Sequence, residues 1–352
     1  MSTMTNNTIR PSSRLNDLRP YAPKITAREP RLKLDTNECP PLLTRDELAS
    51  TCAESWNRYP DLTPLRRSIA DRLGIDFERV VVTSGADDAI DRICRAFLDD
   101  GREMLTTTPT FEMIPRAGRA TGAAVRQIRW LNEPFPVEQV RASVNERTGV
   151  IAIVSPNNPT GEVITPADLM TLCVGAPQSV ILLDLAYIEF ADVDLTTLAL
   201  SLPNVIITRT FSKAFGLAGL RVGFAAGPAD LIASVACVGG PYPVTSPAIA
   251  AATLALDVAD RRLHDRQARV RRERSALTTL LRSQGAEVID SQGNFVYVQR
   301  NPVLANRLAD AGISVRTFGT DGDTQALRIT CPCDERDFQL LLETFTVAGG
   351  VQ

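Results

Sequence analysis

The chain has 352 residues, of which 44% are hydrophobic and 22% charged, with a formal net charge of -3. That length exceeds one average domain and can bury a sizeable core, while the mildly acidic balance argues against a nucleic-acid or polybasic membrane partner. The polar start MSTMTNNTIRPSS has no signal-peptide core and no apolar run is long enough to span a bilayer, so a cytoplasmic protein is expected.

Residues 1–33 lack apolar periodicity and read as an arm. A short strand is predicted from Leu34 and stops at Pro40-Pro41; NRYPD at 57–61 reads as a turn, and Leu65, Ile69 and Leu73 space a helix that ends at Gly74. From residue 78 strands and helices alternate. Strands are predicted at 80–82, 104–107, 125–128, 150–154, 180–184, 205–208 and 222–225, and helices follow Ser84 and Phe111. Apolar runs joined by helical connections argue for a mostly parallel sheet buried on both faces. After Gly240 a long helical region is predicted over 247–284, then strands at 295–299, 313–316 and 326–330 alternate with helices near 303–310 and 334–346. The expected organisation is an α/β protein: an arm (1–33), a large domain (34–244) and a smaller α+β domain (245–352) joined by part of the N-terminal segment.

Seven scattered cysteines, Cys39, Cys52, Cys94, Cys173, Cys237, Cys331 and Cys333, fit reduced core thiols better than a disulfide framework. The single histidine, His264, speaks against metal and Ser-His-Asp chemistry. It falls in RRLHDRQARVRRERS, which reads as the solvated face of a long helix.

Ligands of parallel sheets collect at the carboxyl ends of the strands. Four segments fall there: SGAD at 84–87, SPNNPTG at 155–161, DLAY at 184–187 and TFSK at 210–213. Lys213 is one of only three lysines, with Lys24 and Lys33. A lysine among arginines suits a task that needs a neutral amine, such as Schiff-base formation; on this segment alone an ordinary surface lysine is an equal alternative. The small-residue turn before Ile90 can cradle a phosphate or merely start a capped helix. Asp184 closes a buried strand and either calls for a cation or merely caps the next segment; a lysine amine paired with a carboxylate for a ring nitrogen is the combination pyridoxal phosphate requires.

Together NRYPD, SGADDAI, PTFEM, SPNNPTG, AYIEF, RTFSKAFGLAGLR, PYPVTSP and LRIT resemble the pyridoxal-phosphate aminotransferases of fold type I, most closely the histidinol-phosphate aminotransferases, from about residue 19 to 346. The resemblance implies that Lys213 forms the Schiff base and shuttles the proton, that Asp184 holds the ring nitrogen, and that Asn158 and Tyr187 bond the ring oxygen. It implies further that Phe111 stacks on the ring, and that Ala86, Asp87, Thr210, Ser212 and Arg221 hold the cofactor phosphate. Tyr59 would reach that phosphate from the other subunit of a homodimer. Substrate would meet Arg316 and Arg328, paired guanidiniums suited to a dianionic phosphate, with Tyr21, Asn37 and Tyr242 nearby. The implied reaction moves an amino group between histidinol phosphate and 2-oxoglutarate. An aminotransferase for aromatic or other amino acids, a carboxy-lyase on the same fold, and a cofactor-binding regulator are the alternatives. Two departures stand out: Leu185 where the family has Glu after the aspartate, and Cys331-Pro332-Cys333 where it commonly has a Gly-Thr turn.

Overall fold

The computed structural model describes residues 12–15, 18–20, 29–51, 57–319 and 326–346. Its strands in chain order are β1 (Leu32–Leu34), β2 (Val80–Thr83), β3 (Glu103–Thr108), β4 (Ala124–Arg129), β5 (Thr148–Val154), β6 (Val180–Asp184), β7 (Val205–Thr210), β8 (Gly223–Ala226), β9 (Glu287–Ile289), β10 (Phe295–Gln299), β11 (Ile313–Phe318) and β12 (Ala326–Thr330). They form two sheets: seven strands in the order β2-β8-β7-β6-β5-β3-β4, and five in the order β1-β11-β12-β10-β9.

The larger sheet is parallel except for β8, which runs antiparallel to both β7 and β2. Every residue of β5 and β6 is buried, and alternation along them feeds two cores. Ile151, Ile153, Ile181 and Leu183 face one, whereas Val150, Ala152, Val154 and Leu182 face the other. Edge strand β4 is largely exposed, which is why Arg126, Gln127 and Arg129 are tolerated in it.

In the smaller sheet β1 pairs parallel with β11 and the remaining pairings are antiparallel. Val296, Val298, Ile313, Leu327 and Ile329 pack against Leu277, Leu304, Leu308, Phe338 and Leu341 from the helices behind. The alternate residues, Tyr297, Arg328 and Arg316, lie in cross-strand register on the opposite face. One face therefore makes a core and the other presents polar chemistry.

Two expectations are corrected. The strand expected to open at Leu34, beyond an arm ending at residue 33, already begins at Leu32 in the smaller sheet, because Leu32 and Leu34 both bury in its core. The arginine-rich segment around His264 is not a simple solvated face: in the helix Ala259–Ser283, Arg266, Glu273 and Arg274 are buried. Arg266 donates to Ala214 O at 2.6 Å and Arg274 to Gly293 O at 2.7 Å. The guanidinium supplies several donors to loop carbonyls that would otherwise lack partners, so burial is tolerated.

From β1 the chain crosses to the larger sheet through residues 35–43, which press on the loop after β7. Leu42 N donates to Phe215 O at 3.0 Å. Gly216 has φ +67, and a Cβ there would stand 2.1 Å from Pro40 O. Gly216→Ala is expected to destabilise the protein by about 2–4 kcal/mol through backbone strain and overpacking, read as a lower denaturant midpoint. An unchanged midpoint would contradict this packing.

Candidate active site

The site is assembled where β5, β6 and β7 end. Asp184, the last residue of β6, is 2% exposed. Its register partner on β7 is Thr208, whose hydroxyl donates to Asp184 Oδ1 at 2.7 Å. Burial pushes the Asp184 carboxyl up to about 6, despite the Thr208 hydrogen bond and the more distant Lys213 charge that favour its anion. Thr208 escaped the sequence reading; its signal was a hydroxyl in the aliphatic run Val205-Ile206-Ile207, opposite the aspartate.

Lys213 follows β7, and its Nζ donates to Thr36 O at 2.7 Å and stands 5.9 Å from the Tyr187 ring centroid. Tyr187 OH accepts from Asn37 Nδ2 at 2.9 Å. Asn37 is fully buried with φ 55, a left-handed conformation that asparagine tolerates better than most residues. Its backbone N–H donates to Thr330 Oγ1 at 3.1 Å, and its Oδ1 accepts from that hydroxyl at 3.0 Å. Asn37 thus ties the smaller sheet to Tyr187.

The helix Gly85–Phe97 begins beside β8, with no side-chain cap from Ser84. Ala86 and Asp87 occupy its first turn, where backbone N–H groups point outward. Arg221, at φ 51, donates to Ser212 Oγ at 3.3 Å and to Asp87 Oδ2 at 3.0 Å, while Thr210 Oγ1 accepts from Ser212 N at 3.0 Å. Two glycines permit this closeness: a Cβ on Gly85 would meet Arg221 Nη2 at 2.7 Å, and one on Gly223 would meet Ala86 N at 2.7 Å.

On the other side, Thr110 Oγ1 donates to Asn157 Oδ1 at 3.1 Å, joining the loop that carries Phe111 to the one that carries Asn158. Asn158 Oδ1 accepts from Arg328, which also donates to Asp35 O at 2.6 Å. The Arg328 guanidinium carbon lies 5.5 Å from the Phe295 ring centroid and 5.9 Å from that of Phe318. Arg316, its cross-strand partner, donates to Glu112 Oε1 at 3.1 Å. Glu112 stands within PTFEM, and sequence reasoning gave it no role. Tyr59 and Tyr242 stack on each other at the surface, centroids 4.3 Å apart, and both are exposed. Tyr21 lies outside the described residues.

The model of the family "Aminotransferase class I and II" matches residues 31–345. The chain belongs to this family. It is similar to an aromatic amino acid aminotransferase of Mycobacteroides abscessus, 35% identical over 322 residues that cover 87% of this chain and 92% of that one. It is also similar to a histidinol-phosphate aminotransferase of Ruminiclostridium cellulolyticum, 31% identical over 347 residues, 94% of this chain and 97% of that one. Among solved structures, histidinol-phosphate aminotransferase from Sinorhizobium meliloti in complex with pyridoxal-5'-phosphate superposes with a TM-score of 0.81 at 22% identity, covering 91% of this chain and 92% of that one. That likeness shows the fold, the type I arrangement expected from the sequence.

This aminotransferase uses pyridoxal phosphate, and its residues fit that group. A buried carboxyl already pushed up to about 6 by desolvation is the environment that a cationic ring N–H answers. The uncapped helix start with Ser212 and Arg221 suits a phosphate. No helix among the described residues is long and apolar enough to cross a membrane.

Asp184 carries a pH consequence. Its folded-state carboxyl lies above its ordinary 3.8, so the folded protein holds the proton more tightly than the unfolded chain does. The resulting penalty is absent below the ordinary value and complete above about 6. Cofactor-free protein is expected to lose stability across that window as pH rises. At pH near 8, cofactor-free Asp184→Asn should exceed the parent by up to about 3 kcal/mol in unfolding free energy, while binding pyridoxal phosphate more weakly. A variant no more stable than its parent would refute the unfavourable burial.

Proposed function

We propose that this aminotransferase exchanges amino groups between an aromatic amino acid and 2-oxoglutarate, with Lys213, Asp184 and Tyr187 as its catalytic residues. When bound, pyridoxal phosphate supplies a carbonyl carbon for the amino group and a ring that takes up electrons. Lys213 Nζ would hold the group covalently and would serve as the base that takes the substrate α-proton and gives it back. Asp184 would hold the proton of the ring nitrogen. Tyr187 and Asn158 would bond the ring oxygen, and Phe111 would support the ring. Ala86 and Asp87 through their backbone, with Thr210, Ser212 and Arg221, would hold the phosphate. Arg328 takes the substrate carboxylate beside Asn37. We propose a homodimer in which the exposed Tyr59, stacked on Tyr242, reaches the neighbouring protomer's phosphate site.

The observation that carries the substrate reading is the ion pair of Arg316 with Glu112 at 3.1 Å. Paired guanidiniums suit a dianionic phosphate, but here one of the two charges is already matched by a carboxylate on the site wall. A substrate with one carboxylate and a ring fits that balance and the partly exposed Phe318 ring beside Arg328. The aromatic amino acid aminotransferase of Mycobacterium tuberculosis, 34% identical over 320 residues, supports the same reading. Histidinol phosphate is the second reading, favoured by the cross-strand register of Arg316 with Arg328.

Single-turnover half-reactions separate the two. Phenylalanine or tyrosine is expected to convert the loaded enzyme faster than histidinol phosphate does. Glu112→Gln should improve use of histidinol phosphate about ten- to a hundredfold, the worth of one charge-assisted partner. Preference for histidinol phosphate in the parent, lost in Arg316→Gln, would put the second reading in place of the first.

The covalent link has its own readout. Borohydride should fix the cofactor to the peptide that contains Lys213, and Lys213→Ala should retain none and lose amino transfer by several orders of magnitude. A fixed cofactor on another peptide would remove Lys213 from the role.

A further inference from the structure

Two cysteines that the amino-transfer chemistry does not use meet beside it. Cys39 is buried on the segment that delivers Thr36 to Lys213 and Asn37 to Tyr187. Cys333 is half-buried in the turn after β12. The Cys333 side chain packs against the cluster that contains Cys39, and its thiol is the neighbour that bears most on the Cys39 thiol. Asn294 Nδ2 donates to the same sulfur at 3.4 Å and to Asn37 O at 3.2 Å, and its carbonyl accepts the Cys331 N–H at 2.8 Å. On the far side Cys333 N donates to Glu273 Oε2 at 2.8 Å. Both thiols are thereby held on anchored backbone.

Cys333 adopts φ 57, a left-handed conformation that strains a side-chain-bearing residue and that glycine adopts freely. A thiol persists where the backbone favours glycine, so the side chain accounts for this position better than the turn does. The Cys333 thiol, with the charges of Arg266 and Lys213, holds the Cys39 thiol below its ordinary range against the opposing effect of burial. The Cys333 thiol is raised correspondingly by Cys39 and by burial.

We propose that Cys39 and Cys333 are a reversible modification site, a dithiol that hydrogen peroxide closes into a disulfide joining segment 35–43 to the turn after β12. Cys39 sulfur attacks one peroxide oxygen, the O–O bond breaks and water leaves, giving a sulfenic acid at Cys39. Cys333 sulfur then displaces that hydroxyl as a second water while its proton departs with it. Two thiols and one peroxide yield one disulfide and two waters. An S–S bond of about 2.05 Å is much shorter than the approach of two unbonded thiols, so closure draws Cys39 toward the smaller sheet. Thr36 and Asn37, three and two residues away, shift with it, and amino transfer slows.

The test treats cofactor-loaded enzyme with hydrogen peroxide, blocks remaining thiols and maps peptides without reduction. A linked peptide containing Cys39 and Cys333 is expected, with at least a tenfold loss of activity that dithiothreitol restores. Cys333→Gly, which relaxes the turn, should fold, form no link and keep its activity after peroxide. Maps showing both thiols intact, or each oxidised separately without a link, would overturn the proposal. Equal peroxide sensitivity of Cys333→Gly and the parent would also overturn it.

Discussion

Burying the Asp184 carboxylate at the end of β6, among strands of valine, isoleucine and leucine, removes it from water while giving it one hydroxyl partner, Thr208. A desolvated carboxylate is costly unless something cationic answers it, and the rest of the site can be understood as the arrangement that supplies the answer. The flanking strands must end together, because only a parallel order places the turns after β5, β6 and β7 on one edge. The carboxyl stays half-poised for protonation near pH 6 until a cation arrives. In the proposed function that cation is the cofactor ring, which makes cofactor binding and relief of burial the same event.

The smaller sheet meets this edge through segment 35–43 and through the side chains of Arg328 and Arg316, which reach Asn158 and Glu112. Asn37 is bonded at once to Thr330 on β12 and to Tyr187 after β6. Arg266 and Arg274 reach from one helix to the carbonyls of Ala214, after Lys213, and Gly293, before β10. Geometry at Lys213 therefore depends on residues far away in sequence. The proposed thiol pair acts on the same segment, which is why a bond outside the amino-transfer machinery can alter it.

Much of this was legible in the sequence. The apolar runs at β6, β10 and β12 coincide with their expected spans, because strands buried on both faces or strictly alternating leave a clear pattern. Strand-end placement of Asp184, Asn158 and Lys213 followed from the parallel order. Three features were not legible. β9 has only three residues and too little apolar signal. The ion pair of Glu112 with Arg316 joins positions 204 residues apart, and no local pattern announces such a partner. The helix carrying His264 has the composition of a solvated surface, yet three of its charged residues are buried: loop carbonyls, invisible to periodicity, satisfy Arg266 and Arg274, and the Cys333 N–H and Arg269 satisfy Glu273.

The two-faced character of the smaller sheet limits how such a protein can diverge. Arg328 and Ile329 are neighbours in the chain, one turned toward the site and the other into the core. A single-residue insertion or deletion within β12 would exchange the two faces, sending guanidinium into hydrocarbon and isoleucine toward substrate. Substrate range in this lineage can thus drift by replacement of side chains such as Glu112, and by length changes in loops, but the strands that carry the arginines are closed to indels. Relatives with different substrates are expected to align through β11 and β12 without gaps.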